Sequence, residues 1–240
     1  MKIFISILLL AVLIISIELL LSWRLIAVGN KLADKAVPFS RDLPNAKTKI
    51  LIIGDSTGVG TGASSPKLSI AGRVGKTYPQ ANIVNLSVNG ARTSELIPRL
   101  KKLKNEHFDL IMLHIGGNDT VRFTDLITLK ESIEAVLDLA IAHADNVTLT
   151  STGNVGTAKL LPFATRWAFE NRTRKVRAIF KKAAEDRKVS YVDLFREKDL
   201  DPFAKDPKKY YAMDSFHPSD IGYEDWYSFI EKVLPTLNIQ

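Results

Sequence analysis

The sequence predicts an α/β fold: a three-layer αβα sandwich around a five-stranded parallel sheet, preceded by an N-terminal transmembrane helix. Three observations predict it. Short runs rich in Ile, Leu and Val alternate, from residue 49 to 234, with longer segments whose apolar residues recur at helical spacing. The first three of those runs end in polar turns, two of them beginning with glycine and the other ending in one. Ahead of them, residues 3–23 are almost wholly apolar. Right-handed crossovers between parallel strands place helices on both faces of the sheet.

The N-terminal run, Ile3 to Trp23, is broken only by Ser6, Ser16, Glu18 and Ser22. At 1.5 Å per residue it spans roughly 30 Å, the thickness of a bilayer's hydrocarbon core. Glu18 lies towards one end, where a carboxylate reaches the interface, and Trp23 with Arg24 forms an interfacial anchor. The competing reading is a cleaved signal peptide, for which Ala27-Val28-Gly29 supplies small residues, although the run is longer than the usual h-region. Residues 1–26 are therefore the anchor. Residues 27–48, with Pro38 and Pro44, are expected as a tether, and 49–240 as the folded domain.

The domain opens on the buried strand Lys49-Ile-Leu-Ile-Ile-Gly-Asp-Ser56, followed by the glycine-studded loop Thr57–Gly62. Ile70–Tyr78 is expected as a short helix and Ala81–Leu86 as a strand. Ser94–Lys104 is a helix with Leu96, Ile97, Leu100 and Leu103 on one face and Thr93 or Ser94 as N-cap. Asp109–Ile115 is the third strand, Leu126–Ala144 a helix, and Val147–Thr150 the fourth strand. Phe163–Lys188 is a long helix with Trp167, Val176, Ile179, Phe180 and Ala183 as its apolar stripe and Arg172, Arg174, Lys175, Lys181 and Lys182 mostly outside. Ser190–Leu194 is the fifth strand, and Ile221–Leu234 the closing helix, stopped by Pro235.

With no cysteine among 240 residues there is no disulfide, thiolate metal site or thiol nucleophile. A formal charge of +7 suits anionic lipid, an acidic glycan or nucleic acid, but no nucleic-acid-binding motif stands among the basic residues, so no nucleic-acid partner is expected. The basic helix around residues 172–188 is a candidate surface for lipid or glycan.

Parallel strands bring three turns to one edge of the sheet: Gly54-Asp55-Ser56, Asn85–Gly90 and Gly116-Gly-Asn-Asp119. Ser56 stands at a strand's carboxyl end, where ligands bind in open α/β sheets. Gly90 allows close approach of backbone NH groups, and Asn118 adds a neutral side-chain donor. A serine needs a base oriented by an acid, and near the C-terminus stands Asp214-Ser-Phe-His217, where Pro218 disfavours helix at His217 and so places the pair on a loop that can fold over the sheet edge. Asp55 and Asp119 read as turn-forming residues, His107, His114 and His143 as structural, and Asp193 as a spare acid.

These four blocks, in this order, resemble the SGNH hydrolases, the GDSL-type lipases and esterases. The likeness covers roughly residues 49–235, and departs in Thr57, where the family often has Leu, and in the glycine-rich loop after it. The resemblance implies a flavodoxin-like domain in which Ser56 is the nucleophile, His217 the general base and Asp214 its orienting acid. It implies an oxyanion hole made by the backbone NH groups of Ser56 and Gly90 and the side-chain amide of Asn118, with no metal and no organic cofactor. The expected reaction is hydrolysis of a carboxylic ester or thioester in a lipid or acylated envelope substrate, the alternatives being an O-acetyl esterase acting on envelope polysaccharide and a membrane-tethered, non-catalytic binding module. Loop charges, with Lys2 on one side and Arg24, Lys31, Lys35 and Arg41 on the other, lean towards a cytoplasmic domain. A short tail before a long apolar run, together with the resemblance, favours a signal anchor with the domain exported.

A dinucleotide-binding fold is weighed on Gly58-Val-Gly60-Thr-Gly-Ala63 and set aside: residues 56–94 hold no Asp or Glu to bind a ribose. Gly75-Lys76-Thr77 lacks the first glycine of a phosphate loop.

Overall fold

The computed structural model describes residues 2–237. Its elements are helix α1 (Lys2–Lys35), strand β1 (Thr48–Gly54), the one-turn helix α2 (Ser56–Val59), helix α3 (Ile70–Thr77) and strand β2 (Ala81–Asn85). Helix α4 (Ile97–Lys101), strand β3 (Phe108–His114), and helices α5 (Gly117–Val121) and α6 (Leu126–His143) follow. Then come strand β4 (Ala144–Thr150), helix α7 (Arg166–Asp186), strand β5 (Ser190–Val192), the short helices α8 (Pro202–Lys205) and α9 (Pro207–Tyr210), and helix α10 (Asp220–Val233).

The five strands pair in parallel in the order β2-β1-β3-β4-β5. Alternate side chains of β1 serve opposite faces. Leu51 and Ile53 pack with Leu100, Leu137 and Phe180, while Ile50 and Ile52 pack with Val74, Trp226 and Ile230. Both faces are covered, which is why β1 reads as a continuous apolar run. The chain leaves β1 for β2 on one side and then reaches β3 on the other, so the crevice of the fold opens between the carboxyl ends of β1 and β3.

Several expectations need correction. Residues 94–104 are not one capped helix: a 3₁₀ turn, Thr93–Leu96, precedes α4, and its cap, Arg92, makes no side-chain capping bond. Thr93 is engaged elsewhere, its amide and hydroxyl both donating to Asp119 (3.0 and 2.6 Å). On α7 the roles of two residues are exchanged: Trp167 is 68% exposed, whereas Arg172 is 9% exposed and donates to the Thr124 carbonyl. The first turn of that segment, Phe163–Thr165, is 3₁₀, so that α7 begins only at Arg166, and the guanidinium of Arg172 stacks over Phe123.

Helix α1 does not end at the apolar run. It continues through Lys35, three residues short of Pro38, and is the one helix among the described residues long and apolar enough to cross a membrane. The segment after it is docked rather than loose. Arg41 bridges to Ile83 through both backbone bonds (2.9 and 2.8 Å), and its guanidinium donates to the carbonyls of Gly75 and Ala81.

Candidate active site

Three turns and one loop converge on the crevice between β1 and β3. At the first turn, Gly54 lies so close to β3 that a Cβ would stand 1.9 Å from the His114 carbonyl oxygen. The chain then turns sharply, and Asp55 caps α2 through its carboxylate, which accepts from the Thr57 amide (2.9 Å) and hydroxyl (2.8 Å). Ser56 is thus the first residue of a single helical turn. That turn is seated on β2's exit: Asn85 donates to the Gly58 carbonyl (2.9 Å), and a Cβ on Gly58 would stand 2.3 Å from the Ser87 hydroxyl.

The glycine-rich loop beyond α2 serves packing. Gly62, at φ +99°, approaches the C-terminal loop so closely that a Cβ would stand 2.4 Å from the Pro218 carbonyl oxygen and 3.0 Å from the His217 Cβ. The hydroxyl of Tyr223 on α10 secures the loop from below, donating to the Thr61 carbonyl (2.7 Å).

The C-terminal loop is folded by its own aspartate. One carboxylate oxygen of Asp214 accepts from the amides of Phe216 and His217 (3.0 Å each). Ser215, at φ +56°, tightens the turn, and Ala212 donates to the His217 carbonyl (2.8 Å). The other oxygen lies 2.5 Å from His217 Nδ1, and His217 Nε2 lies 3.0 Å from Ser56 Oγ. Asp214 is fully buried. Phe216 packs its ring edge-to-face on the imidazole. A hydroxyl bonded to an imidazole that is itself bonded to a buried carboxylate can lose its proton to that imidazole, with the resulting cation stabilised by the acid.

Gly90 and Asn118 border the same cleft as Ser56 and His217. Gly90 sits at φ +78° in the second turn, a conformation that favours glycine. Asn118 occupies the first turn of α5, which starts from Gly116 at φ +113°. The two Asp119 bonds to Thr93 tie the third turn to the chain just beyond Gly90 and so fix their relative placement.

The remaining sequence candidates lie in other roles. Asp193 is held by Arg177, which donates to both carboxylate oxygens, so it is not the acid facing His217. His107 pairs with Asp145 and His143 bonds the Glu106 carbonyl. His114 is buried in the sheet, and burial lowers its imidazole to about 4. Burial raises the Asp55 carboxyl to about 6, against the opposing pull of the Thr57 bonds and the charge of His217.

Two cavities meet at Ser56 and His217. The inner one, about 40 Å³, runs between Thr57, Asn118 and the 152–158 loop towards Phe203, Tyr211 and Trp226. The outer one, about 320 Å³, is bordered by Asn89, Arg122 and Phe216 and, on its far side, by Ile26, Gly29, Asn30 and Ala33 of α1. These α1 residues and Asn89 are absent from the sequence-based candidates. The signal they carry is the spacing of shielded positions along α1, which the uniform apolarity of the preceding run conceals.

A family profile described as "GDSL-like Lipase/Acylhydrolase family" matches residues 52–224. No curated protein matches the chain. Among solved structures, TesA superposes with a TM-score of 0.63 at 19% identity, covering 79% of this chain and 98% of its own. The psychrotrophic esterase EstA from Pseudoalteromonas sp., inhibited by monoethylphosphonate, gives 0.61 at 16% over 79% and 98%. The extracellular lipase of Streptomyces rimosus gives 0.58 at 18% over 80% and 100%. At these identities the likeness is one of fold.

Proposed function

The chain belongs to the GDSL-like lipase/acylhydrolase family, an ester-bond hydrolase family, and we propose that it is a membrane-anchored serine esterase working through Ser56, His217 and Asp214. The observation that carries this reading is the continuous bonded path from Ser56 Oγ through the His217 imidazole to the buried Asp214 carboxylate.

In the proposed mechanism Ser56 Oγ attacks the ester carbonyl carbon while His217 Nε2 takes its proton. The carbonyl oxygen, now negative, is held by the backbone NH groups of Ser56 and Gly90 and by the Asn118 amide. Asp214 accepts from Nδ1–H and stabilises the imidazolium. His217 then returns its proton to the departing alkoxide, leaving an acyl-serine. A water attacks that acyl group as His217 again takes a proton, and as the second tetrahedral state collapses His217 returns that proton to the departing Ser56 Oγ, which frees the acid and restores the serine.

The substrate class we propose is a lipid or acylated envelope ester. Residues 3–23 supply the anchor, and the domain lies on the exported side. The narrow inner cavity favours a second reading, removal of a short O-acyl group from envelope polysaccharide, which acyl-chain preference distinguishes. The test is hydrolysis of p-nitrophenyl esters from acetate to decanoate by the full-length protein in detergent. Wild type is expected to turn over, and Ser56→Ala and His217→Ala to lose at least a thousandfold in kcat. Equal rates in wild type and Ser56→Ala would sink the assignment.

A further inference from the structure

Helix α1 turns one stripe to the domain. Beyond residue 17 the shielded positions are Glu18, Ser22, Leu25, Val28, Gly29, Leu32 and Ala33, together with the small Ala27, and all but Ala27 fall on a single helical face. That face is tied down at both ends. The Phe163 amide donates to the Glu18 carboxylate (3.4 Å), and Asn89 donates to the Ala33 carbonyl (3.0 Å). Between these ties the helix backbone reaches the centre of the site: a Cβ on Gly29 would stand 3.1 Å from the Asp214 oxygen that bonds His217.

The two cavities at Ser56 differ in what they admit. The inner cavity, about 40 Å³, is roughly one-eighth the size of the outer one, about 320 Å³. Any large group on the ester carbonyl therefore leaves through the outer cleft, whose far wall is α1. From Trp23, the end of the apolar run, to Gly29 is six residues, or about 9 Å along the helix. The headgroup layer is about 5 to 8 Å thick on each side of the hydrocarbon core, so Gly29 stands at its outer edge, within reach of an amphiphile drawn partly out of the bilayer. Phe163, 68% exposed, stands at the Glu18 end of the contact and offers an aromatic ring on the bilayer side of the cleft.

We propose that the last turns of α1, Ile26 to Ala33, form a substrate-binding wall of the active-site cleft, along which lies the tail of a membrane-resident acyl ester. The anchor then determines specificity, and the ester it selects is an amphiphile drawn from the bilayer surface. The proposal rests on the serine-esterase reading of the site, and its test separates the two.

The full-length protein in detergent micelles is labelled with two fluorophosphonates, diisopropyl fluorophosphate and a probe bearing a long alkyl tail. Ala33→Trp fills the outer cleft from the helix side, and Ile26→Trp does so from a more exposed position that keeps the test alive if the first variant fails to fold. Leu20→Trp, on the lipid-facing part of the helix, is the control. Both cleft variants are expected to slow labelling by the long-tailed probe tenfold or more while changing the small probe less than twofold, and Leu20→Trp to change neither. Unaltered labelling by both probes in both cleft variants would overturn the wall. No adduct with either probe in folded wild type would instead overturn the serine-esterase reading beneath it.

Discussion

Replacing Asp55 by Asn is expected to stabilise this protein at neutral pH and to leave its stability in acid unchanged. Asp55 is 2% exposed beneath the residue that starts α2, and burial raises its carboxyl from 3.8 to about 6, with Asp119 pushing the same way. A value higher in the folded than in the unfolded state means that the folded chain holds the proton more tightly. The side chain therefore imposes no ionisation cost below about pH 4, a growing one between about pH 4 and 6, and the full cost above that. At 1.36 kcal/mol for each tenfold change in proton affinity, the full cost is about 3 kcal/mol. Asn is nearly isosteric and neutral, and its carbonyl oxygen can still accept from the Thr57 amide, so the cap of α2 survives. Allowing for a weaker bond to the Thr57 hydroxyl, Asp55→Asn should gain about 1 to 3 kcal/mol at pH 7.5, or roughly 2 to 4 °C in Tm per kcal/mol for a chain of this size. Thermal unfolding of the full-length protein in detergent, followed by near-UV circular dichroism at pH 7.5 and pH 4, reads both arms. A variant that melts below wild type at pH 7.5 would refute the reasoning, because it would mean that the surrounding charges, His217 first, hold the carboxylate ionised and contribute stability through it.

Two further substitutions probe the turns. Asn118→Ala should lower kcat on p-nitrophenyl butyrate by 10² to 10³ with KM nearly unchanged, the loss typical of one oxyanion donor; a loss below threefold would remove Asn118 from that role. Gly58→Ala drives a Cβ to 2.3 Å from the Ser87 hydroxyl and should cost about 1 to 3 kcal/mol by overpacking. The pair Gly58→Ala with Ser87→Gly removes the obstructing side chain and should recover most of that loss in thermal melting. Failure of the pair to recover would place the strain elsewhere.

The parts legible in the sequence are those written in local pattern. The sheet is visible because strands buried on both faces are continuous apolar runs, and the turns because glycine and Asx residues punctuate them. Asp214 and His217 are legible as a pair because Pro218 disfavours helix at His217 and three residues suffice for Asp214 to bond both the backbone and the imidazole. Tertiary partners decided the rest. Thr93 has the composition of an N-cap, but its amide and hydroxyl both donate to the buried Asp119, and it becomes the first residue of a 3₁₀ turn instead. Arg172 lies on a basic helix face, yet the Thr124 carbonyl and the Phe123 ring make a site in which a guanidinium can be buried. The docked half of α1 was hidden for a different reason. Its stripe begins inside a segment apolar on every side, so no periodicity separates the face that meets the domain from the face that meets lipid.

The central claim is that Ser56 is an activated nucleophile. The most direct test is reaction of the full-length protein with a fluorophosphonate, followed by peptide mass analysis of the adduct in wild type and Ser56→Ala. A single phosphonyl adduct on the peptide carrying Ser56, absent from the folded Ser56→Ala protein, is the predicted result. An adduct on a different serine, or one that persists at the same rate in Ser56→Ala, would contradict it.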